Sequence, residues 1–235
     1  MVFEAFGPED HLLTLAELTR RTGIAKGTLH RLAATLVASG LLERVDLGYR
    51  LGRRLFELGL RASVGRGLVE VATPYLEELY EHTHETVHLG VRDGLDVVYL
   101  LKLGGHRQAD TPSRLGGRLP LHCTALGKVL LAAAPPDVLA ARVAAGLVRT
   151  APRTVVTPAR LRAQLDEVAA TGLAYEHEES AVGIACVAAP ITRSGEGVVA
   201  ALSVTGPVHR FDPRAARGRV QAAAAGISVG LDRVD

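Results

Sequence analysis

The stretch Thr14-Leu15-Ala16-Glu17-Leu18-Thr19-Arg20-Arg21-Thr22-Gly23 carries both its own start and its own stop. Thr14 is suited to cap a helix, Glu17 completes a capping box three residues later, and Gly23 supplies the left-handed residue that ends it. Ile24 fills the turn. A second helix is predicted from Lys26 to Ala38, because Leu29, Leu32, Ala33, Leu36 and Val37 fall at i, i+3, i+4, i+7 and i+8, one buried stripe. Lys26, Thr28, His30, Arg31, Ala34 and Thr35 are then left to the start and outer face of that helix. Two short helices joined by a tight glycine-containing turn make a helix-turn-helix. Leu41–Val45 and Tyr49–Leu51 follow as short β-like runs around Asp46-Leu47-Gly48, a small hairpin. Helix-turn-helix plus hairpin is a winged helix, expected over residues 1–52.

Charge favours one use for such a unit. Residues 11–66 hold ten Lys/Arg against four acids, whereas residues 67–235 hold 17 basic against 18 acidic side chains. A small basic unit joined to a larger neutral one suits nucleic-acid binding with a separate second function. In that reading the second helix enters the major groove through Lys26, Thr28, His30, Arg31 and Thr35. Arg44 and Arg50 on the hairpin then reach phosphates or the minor groove. An αα-hairpin used for protein contacts is the competing reading of the two helices.

Beyond the hairpin, Arg53–Ala62 reads as a helical linker (53–66) with Gly65 and Gly67 at its end, and residues 67–235 as one further domain. Leu68–His82 is expected to be helical, with a stripe of Leu68, Val71, Ala72, Tyr75, Leu76 and Leu79. Thr86–Val91 and Val97–Leu101 flank Asp93-Gly94 as a hairpin. Thr124 is placed to cap a helix through Ala133, and Thr157-Pro158 opens another that Gly172 closes. Ala185–Thr192 and Val198–Thr205 form a second hairpin, and Pro213–Val229 a last helix. Strand pairs interspersed with helices predict an α+β domain built on an antiparallel sheet.

Alternation along the second hairpin separates two faces. Val187, Ala189 and Ile191 with Val198, Ala200, Leu202 and Val204 make a plain aliphatic face. The opposite face carries Cys186, Ser203 and Thr205 among Ala188, Pro190, Val199 and Ala201, a composition that leaves room and offers hydrogen bonds. A solvated sheet surface would read the same way. Other chemistries find less support. Cys123 beside His122 could pair a thiol with an imidazole, but no third orienting group is identifiable. His84 and His88 would share a face at i, i+4 only if the helix continued, and Thr86-Val87 points to a strand. A Cys123–Cys186 bond needs Cα atoms within about 7 Å. Neither catalytic residues, a cofactor nor a metal site is expected, and no apolar run approaches the ~20 residues of a membrane span. A cytoplasmic location is expected, since no secretion signal opens the chain.

Longer motifs bring in a family. Thr14 to Leu32, Leu36, Gly40–Arg44 and Tyr49–Gly52 resemble the IclR (isocitrate lyase regulator) family of bacterial transcription factors. So do Leu119-Pro-Leu-His-Cys-Thr-Ala-Leu-Gly-Lys-Val-Leu-Leu-Ala132, Gly172–Pro190 and Ala201–Pro207. The resemblance implies a GAF-like effector-binding domain whose pocket is lined by Thr111, Ala125, Leu126, Glu176, Cys186, Ser203 and Thr205. It also implies a regulator that binds operator DNA and responds to a small organic acid. A homodimer or tetramer is expected, because one short recognition helix spans too few base pairs; Leu55, Phe56, Leu58 and Leu60 offer apolar surface for pairing. A carboxylate suits the free N–H groups of Ala125 and Leu126 at a helix start. Three positions depart from the family pattern: Ala25 and Gly27 stand where Pro and Ser are common, and Glu176 where Asp is frequent. Only Met1–Phe6 represents the helix that usually precedes the helix-turn-helix. The rival expectation is therefore a metabolite-binding sensor that no longer binds DNA.

Overall fold

The computed structural model describes residues 2–59, 61, 66–104 and 109–234. The chain divides into two compact units, Met1–Arg66 and Gly67–Asp235. In the first, a 3-10 turn at Phe3–Ala5 precedes α1 (Leu15–Thr22), α2 (Lys26–Ala38), β1 (Leu42–Val45), β2 (Gly48–Leu51) and α3 (Arg53–Gly59). The capping box forms as read: Glu17 N–H donates to Thr14 Oγ1 (3.2 Å) and Thr14 N–H to Glu17 Oε2 (2.8 Å). Gly23 closes α1 at φ +70°. Leu13, Leu18, Leu29, Ala33, Leu42 and Tyr49 form the small core, and Leu13 pairs with Tyr49 so that the start of the chain is tied to the hairpin. The stripe of α2 is narrower than expected. Leu32 is 38 % exposed, because only Leu29 and Ala33 point straight at α1 and β1, and Leu36 and Val37 lie half-buried at the edge. The expected linker is helical over Arg53–Gly59; Leu60, Ala62 and Gly65 lie outside the described residues.

The second unit opens with α4 (Arg66–Thr83), which runs through Gly67 instead of starting after it. Then come β3 (Thr86–Asp93), β4 (Asp96–Leu103), β5 (Arg118–Pro120), α5 (Ala125–Ala132), α6 (Pro136–Ala144), α7 (Pro158–Thr171), β6 (Ala174–His177), β7 (Ile184–Arg193), β8 (Gly197–Pro207) and α8 (Pro213–Leu231). The strands form one sheet in the order β5-β4-β3-β8-β7-β6, every neighbour antiparallel. Both faces are covered, so the solvated-surface reading fails. On one side α4 and α8 bury Val87, Leu89, Val187, Ala189, Ile191, Ala200, Leu202 and Val204. On the other, α5 and α7 cover Val97, Tyr99, Ala174, Cys186, Ala188 and Ala201.

One correction concerns the start of β8. Ile191 pairs with Ala200 but Thr192 with Val198, so Val199 is an extra residue in a bulge. Upstream of it the alternation flips: Val198 packs on the α5 side and Val199 on the α8 side, opposite to a simple period of two. From Ala200 onward the two faces are as the sequence predicts.

Close packing of α5 is what positions the site. Gly127 lies where a Cβ would sit 2.2 Å from the Leu121 carbonyl oxygen, and Gly90 on β3 leaves room for Leu126. Gly127→Ala is expected to lower unfolding free energy by about 1–3 kcal/mol, since backbone and not a flexible side chain must give way. Urea unfolding followed by circular dichroism checks this; an unchanged midpoint would mean that the helix start is not tightly seated.

Candidate functional site

In the first unit Lys26, Thr28, His30, Arg31 and Thr35 are all exposed on α2, because buried Leu29 and Ala33 fix the rotation of the helix. Thr35 Oγ1 donates to the Arg31 carbonyl (3.2 Å), a local bond that leaves the Arg31 side chain extended to solvent. Ala25 offers no capping side chain, so the first-turn amides of α2 stay free for an anion such as a backbone phosphate. The two hairpin arginines are not equivalent. Arg50 pairs across the strands with Glu43 (Nε–Oε2 2.7 Å, Nη2–Oε2 2.6 Å), and this guanidinium holds the Glu43 carboxyl below its usual range. Glu43 also accepts from Arg53 N–H (3.3 Å). Arg44 is exposed and has no carboxylate partner among the described residues, so its charge is the one left available.

The second unit holds a small cavity between the sheet and the start of α5. Thr111, Ala125, Leu126, Glu176, Cys186, Ser203 and Thr205 all line it. Strand register explains how residues so far apart in sequence meet. Glu176 pairs with Cys186, Cys186 with Thr205 and Thr205 with Thr86; one pleat along, Ala188 pairs with Ser203 and Ser203 with His88. Thr124 closes the opposite wall: its side chain accepts from Gly127 N–H (2.9 Å), which sets Ala125 and Leu126 in the first turn of α5 against the cavity.

His88, Tyr99, Ser113 and Ser180 line the same cavity and were not anticipated. The signal for His88 was present: it shares the parity of Thr86 and alternates with Val87 and Leu89, which the aliphatic face claims. Tyr99 packs edge-on against His88 (5.2 Å between ring centroids), and His88 Nε2 lies 2.8 Å from Ser113 Oγ. Ser113 Oγ meets Thr111 Oγ1 (3.0 Å), and Lys102 Nζ donates to Thr111 Oγ1 (2.8 Å) and to the Ser113 carbonyl (2.6 Å). A single cation at the rim thus orders the segment that bears Thr111.

Burial keeps most of these groups neutral. It drives His88 down to about 3, with Lys102 adding to the effect, and it pushes the Cys186 thiol up to about 12. Glu176 rises to about 7 by burial, although Ser180 N–H (2.9 Å) and Ser180 Oγ (2.8 Å) donate to its Oε1 and oppose the shift. Thr205 Oγ1 donates to Cys186 Sγ (3.1 Å). Ser203 Oγ is buried beside the Cys186 thiol, whose rise it opposes, and apart from that weak sulfur contact it has no hydrogen-bond partner.

The competing chemistries can be placed. Cys123 is buried, donates to the Pro120 carbonyl (3.5 Å) and is raised to about 11, a poor nucleophile. His122 Nε2 lies 3.0 Å from the Val148 carbonyl. α4 stops at Thr83, so His84 and His88 share no helix face. Among the described residues no group of three His, Cys, Asp or Glu side chains could hold a metal, and no helix is long and apolar enough to cross a membrane. Lys128, one turn into α5, turns away from the cavity. Its ammonium is buried against Glu179 Oε1 (2.5 Å) and the Tyr175 carbonyl (3.0 Å).

Comparison with known proteins places this geometry in context. The model of the IclR helix-turn-helix domain matches residues 1–46, and that of the bacterial transcriptional regulator IclR C-terminal domain matches residues 61–229. The HTH-type transcriptional regulator XynR of Escherichia coli is 33% identical over 214 residues, 90% of this chain and 85% of that protein. KdgR of the same organism is 34% identical over 214 residues, covering 89% and 81%. The crystal structure of an IclR homolog complexed with 4-hydroxybenzoate from Microbacterium hydrocarbonoxydans superposes with a TM-score of 0.93 at 32% identity, covering 100% of this chain and 97% of the other.

The raised carboxyl of Glu176 has a measurable signature. Its unfolded-state value is 4.5 and its folded value about 7, so between these limits the folded state binds the extra proton. Stability from this group is therefore full below the unfolded value and is lost as pH rises toward the folded one. Glu176→Gln is expected to gain on the wild type by roughly 2 kcal/mol between about pH 5 and about pH 8. Paired urea titrations across that range check it, and a pH-independent difference between the two proteins would show that Glu176 titrates normally.

Proposed function

The chain belongs to the IclR family of bacterial transcriptional regulators, and from that premise we propose which residues read DNA and what the enclosed cavity takes. The exposed face of α2 contacts operator bases and phosphates through Lys26, Thr28, His30, Arg31 and Thr35, and Arg44 contributes more than Arg50 because no carboxylate offsets it. A helix-turn-helix match that begins at residue 1 speaks against the sensor that has lost DNA binding. The regulator works in the cytoplasm as a homodimer, or a tetramer built from it. Exposed Phe56 (68 %) and Leu58 (42 %) on α3 support pairing, since apolar side chains of that size gain by being covered.

The effector is a small organic acid carrying a second hydroxyl or keto oxygen. One observation carries this reading: Ser203 Oγ is a buried hydroxyl with no partner stronger than the Cys186 thiol, in a cavity that the N-terminus of a helix borders. The helix amides and dipole favour a carboxylate there. Glu176, about half protonated near neutral pH, can donate to an anion in its protonated form, whereas its ionised form would repel it. The structural neighbour crystallised with 4-hydroxybenzoate makes hydroxybenzoates the first compounds to try. The ligand alters transcription only to the extent that it binds the DNA-competent and DNA-incompetent states unequally.

Two substitutions test the two halves of the proposal. Arg31→Ala should weaken operator binding by about 1–3 kcal/mol, selectively at one base pair if it reads a base and across all sequences if it meets phosphate. Fluorescence anisotropy with the DNA upstream of the gene itself measures this, and unchanged affinity removes Arg31 from the interface. Ser203→Ala should cost a bound acid about 0.5–1.5 kcal/mol, or more if the ligand oxygen is charged. Calorimetry with a panel of hydroxy and keto acids decides; indifference of every binder to Ser203→Ala and to Glu176→Gln would put the effector elsewhere.

A further inference from the structure

The segment Tyr175–Ser180 is a wall with two sides. Glu176 and Ser180 face the cavity over the sheet, whereas His177 and Glu179 line a second cleft at the start of α7. Nothing in the regulator's DNA-binding or effector reading uses this cleft. Its rim is cationic: Arg149, Arg153 and Arg160 all line it. Arg153 is offset by Glu178 (3.2 Å), but neither Arg149 nor Arg160 has a carboxylate partner among the described residues. Arg149 is held in place by donating to the Pro152 carbonyl (2.6 Å). The helix end adds to this field. Thr157 makes no capping hydrogen bond, so the first-turn amides of α7, beyond Pro158, are not satisfied by a side chain.

The floor has the opposite character. Gln164 Oε1 and Glu179 Oε2 are both buried and both lack a hydrogen-bond partner, and Glu179 is only 6 % exposed. Glu179 cannot turn its second oxygen to the protein, because Oε1 is fixed by Lys128 and the Thr150 and Thr154 hydroxyls hold its carbonyl at 2.8 and 2.6 Å. Two stranded acceptors in one cleft are costly unless something donates to them. Gln164 follows Arg160 by four residues, one turn along the same helix face, so donor and acceptor are spaced for a single small molecule.

We infer that this cleft is a second ligand site, for a small hydroxylated anion whose acidic end meets Arg149, Arg160 and the start of α7. Its hydroxyl groups donate to Gln164 Oε1 and Glu179 Oε2. Phosphate and carboxylate share the required acidic chemistry, so three probes separate the contributions: glycerol 3-phosphate, glycerate and ethyl phosphate, the last lacking hydroxyls.

Titration calorimetry on the full chain tests the site. Glycerol 3-phosphate or glycerate should bind the wild type and bind Arg160→Ala and Gln164→Leu at least about tenfold more weakly. Ethyl phosphate should bind more weakly than glycerol 3-phosphate and be insensitive to Gln164→Leu. Ser203→Ala, in the other cavity, should change none of these affinities. The inference is overturned if no probe gives heat at millimolar concentration, or if Arg160→Ala binds like the wild type. Loss of binding in Ser203→Ala would equally overturn it, by assigning the probe to the enclosed cavity. Arg160 is exposed, so its variant tests the site without disturbing the fold.

Discussion

A buried ammonium governs the second unit. Lys128 is 1 % exposed in the middle of an otherwise apolar helix, and no aliphatic side chain would choose its orientation so narrowly. It reaches Glu179 and the Tyr175 carbonyl, and the Thr150 and Thr154 hydroxyls fix the far side of Glu179. A buried ion pair of this kind contributes little net stability compared with a well-packed apolar replacement, but removing one partner strands a charge at a cost of about 3–5 kcal/mol. Its value lies in register. With Lys128 pinned to the Tyr175–Ser180 segment, the first turn of α5, four residues earlier, is held over Ser203 and Cys186 and cannot slide. The enclosed cavity is the space left by that constraint. Gly127 and Gly90 let the helix come close enough for the pair to form.

Residues with strong local chemistry were legible in the sequence. The capping box at Thr14 and Glu17, the Gly23 stop, the Thr124 cap and the Gly172 stop depend on contacts within four residues, and all are found where the sequence puts them. The polar face of β7 and β8 was legible too, because period-two alternation survives in the middle of both strands. What escaped was set by distant partners. β5 and β6 are three and four residues long and owe their pairing to β4 and β7, so neither has a pattern of its own. α6 begins at Pro136, where proline is tolerated as the first helical residue, and Pro135 before it offers no capping side chain to announce a helix. The bulge at Val199 exchanged the faces of two valines that no composition rule distinguishes. His88 entered the cavity through its register with Ser203, a relation between residues 115 positions apart.

The first unit shows how function and stability draw on the same few side chains. Its core of Leu13, Leu18, Leu29, Ala33, Leu42 and Tyr49 is small, and domains near 60 residues bury too little surface to be more than marginally stable alone. Polar ties supplement it: Arg21 pairs with Asp10, and Glu43 joins Arg50 to the start of α3. Glu43 therefore offsets one cation of the hairpin in exchange for fixing its geometry. Leu32, Phe56 and Leu58 are left in water, and any partner that covers them adds stability by mass action. In a unit this thin, whatever covers those side chains also steadies the helices that carry them.

The enclosed cavity, finally, contains donors and acceptors but almost no fixed charge. His88 is neutral, the Cys186 thiol is protonated, and Lys128, the nearest buried cation, is spent on Glu179. A carboxylate entering there meets backbone dipoles and hydroxyls, with Glu176 as the one group whose charge can change near neutral pH. The arriving negative charge disfavours ionisation of Glu176 further, so its carboxyl retains or takes up a proton as the acid binds. By linkage the same acid must bind more tightly where Glu176 is already protonated, and its affinity must fall as pH rises past the value the burial of Glu176 has set. A site built this way tells an anion from a neutral analogue by helix amides, and tells a hydroxylated anion from a bare one by Ser203. Burying a fixed cation would have achieved the first alone, at the cost of an uncompensated charge in the empty cavity.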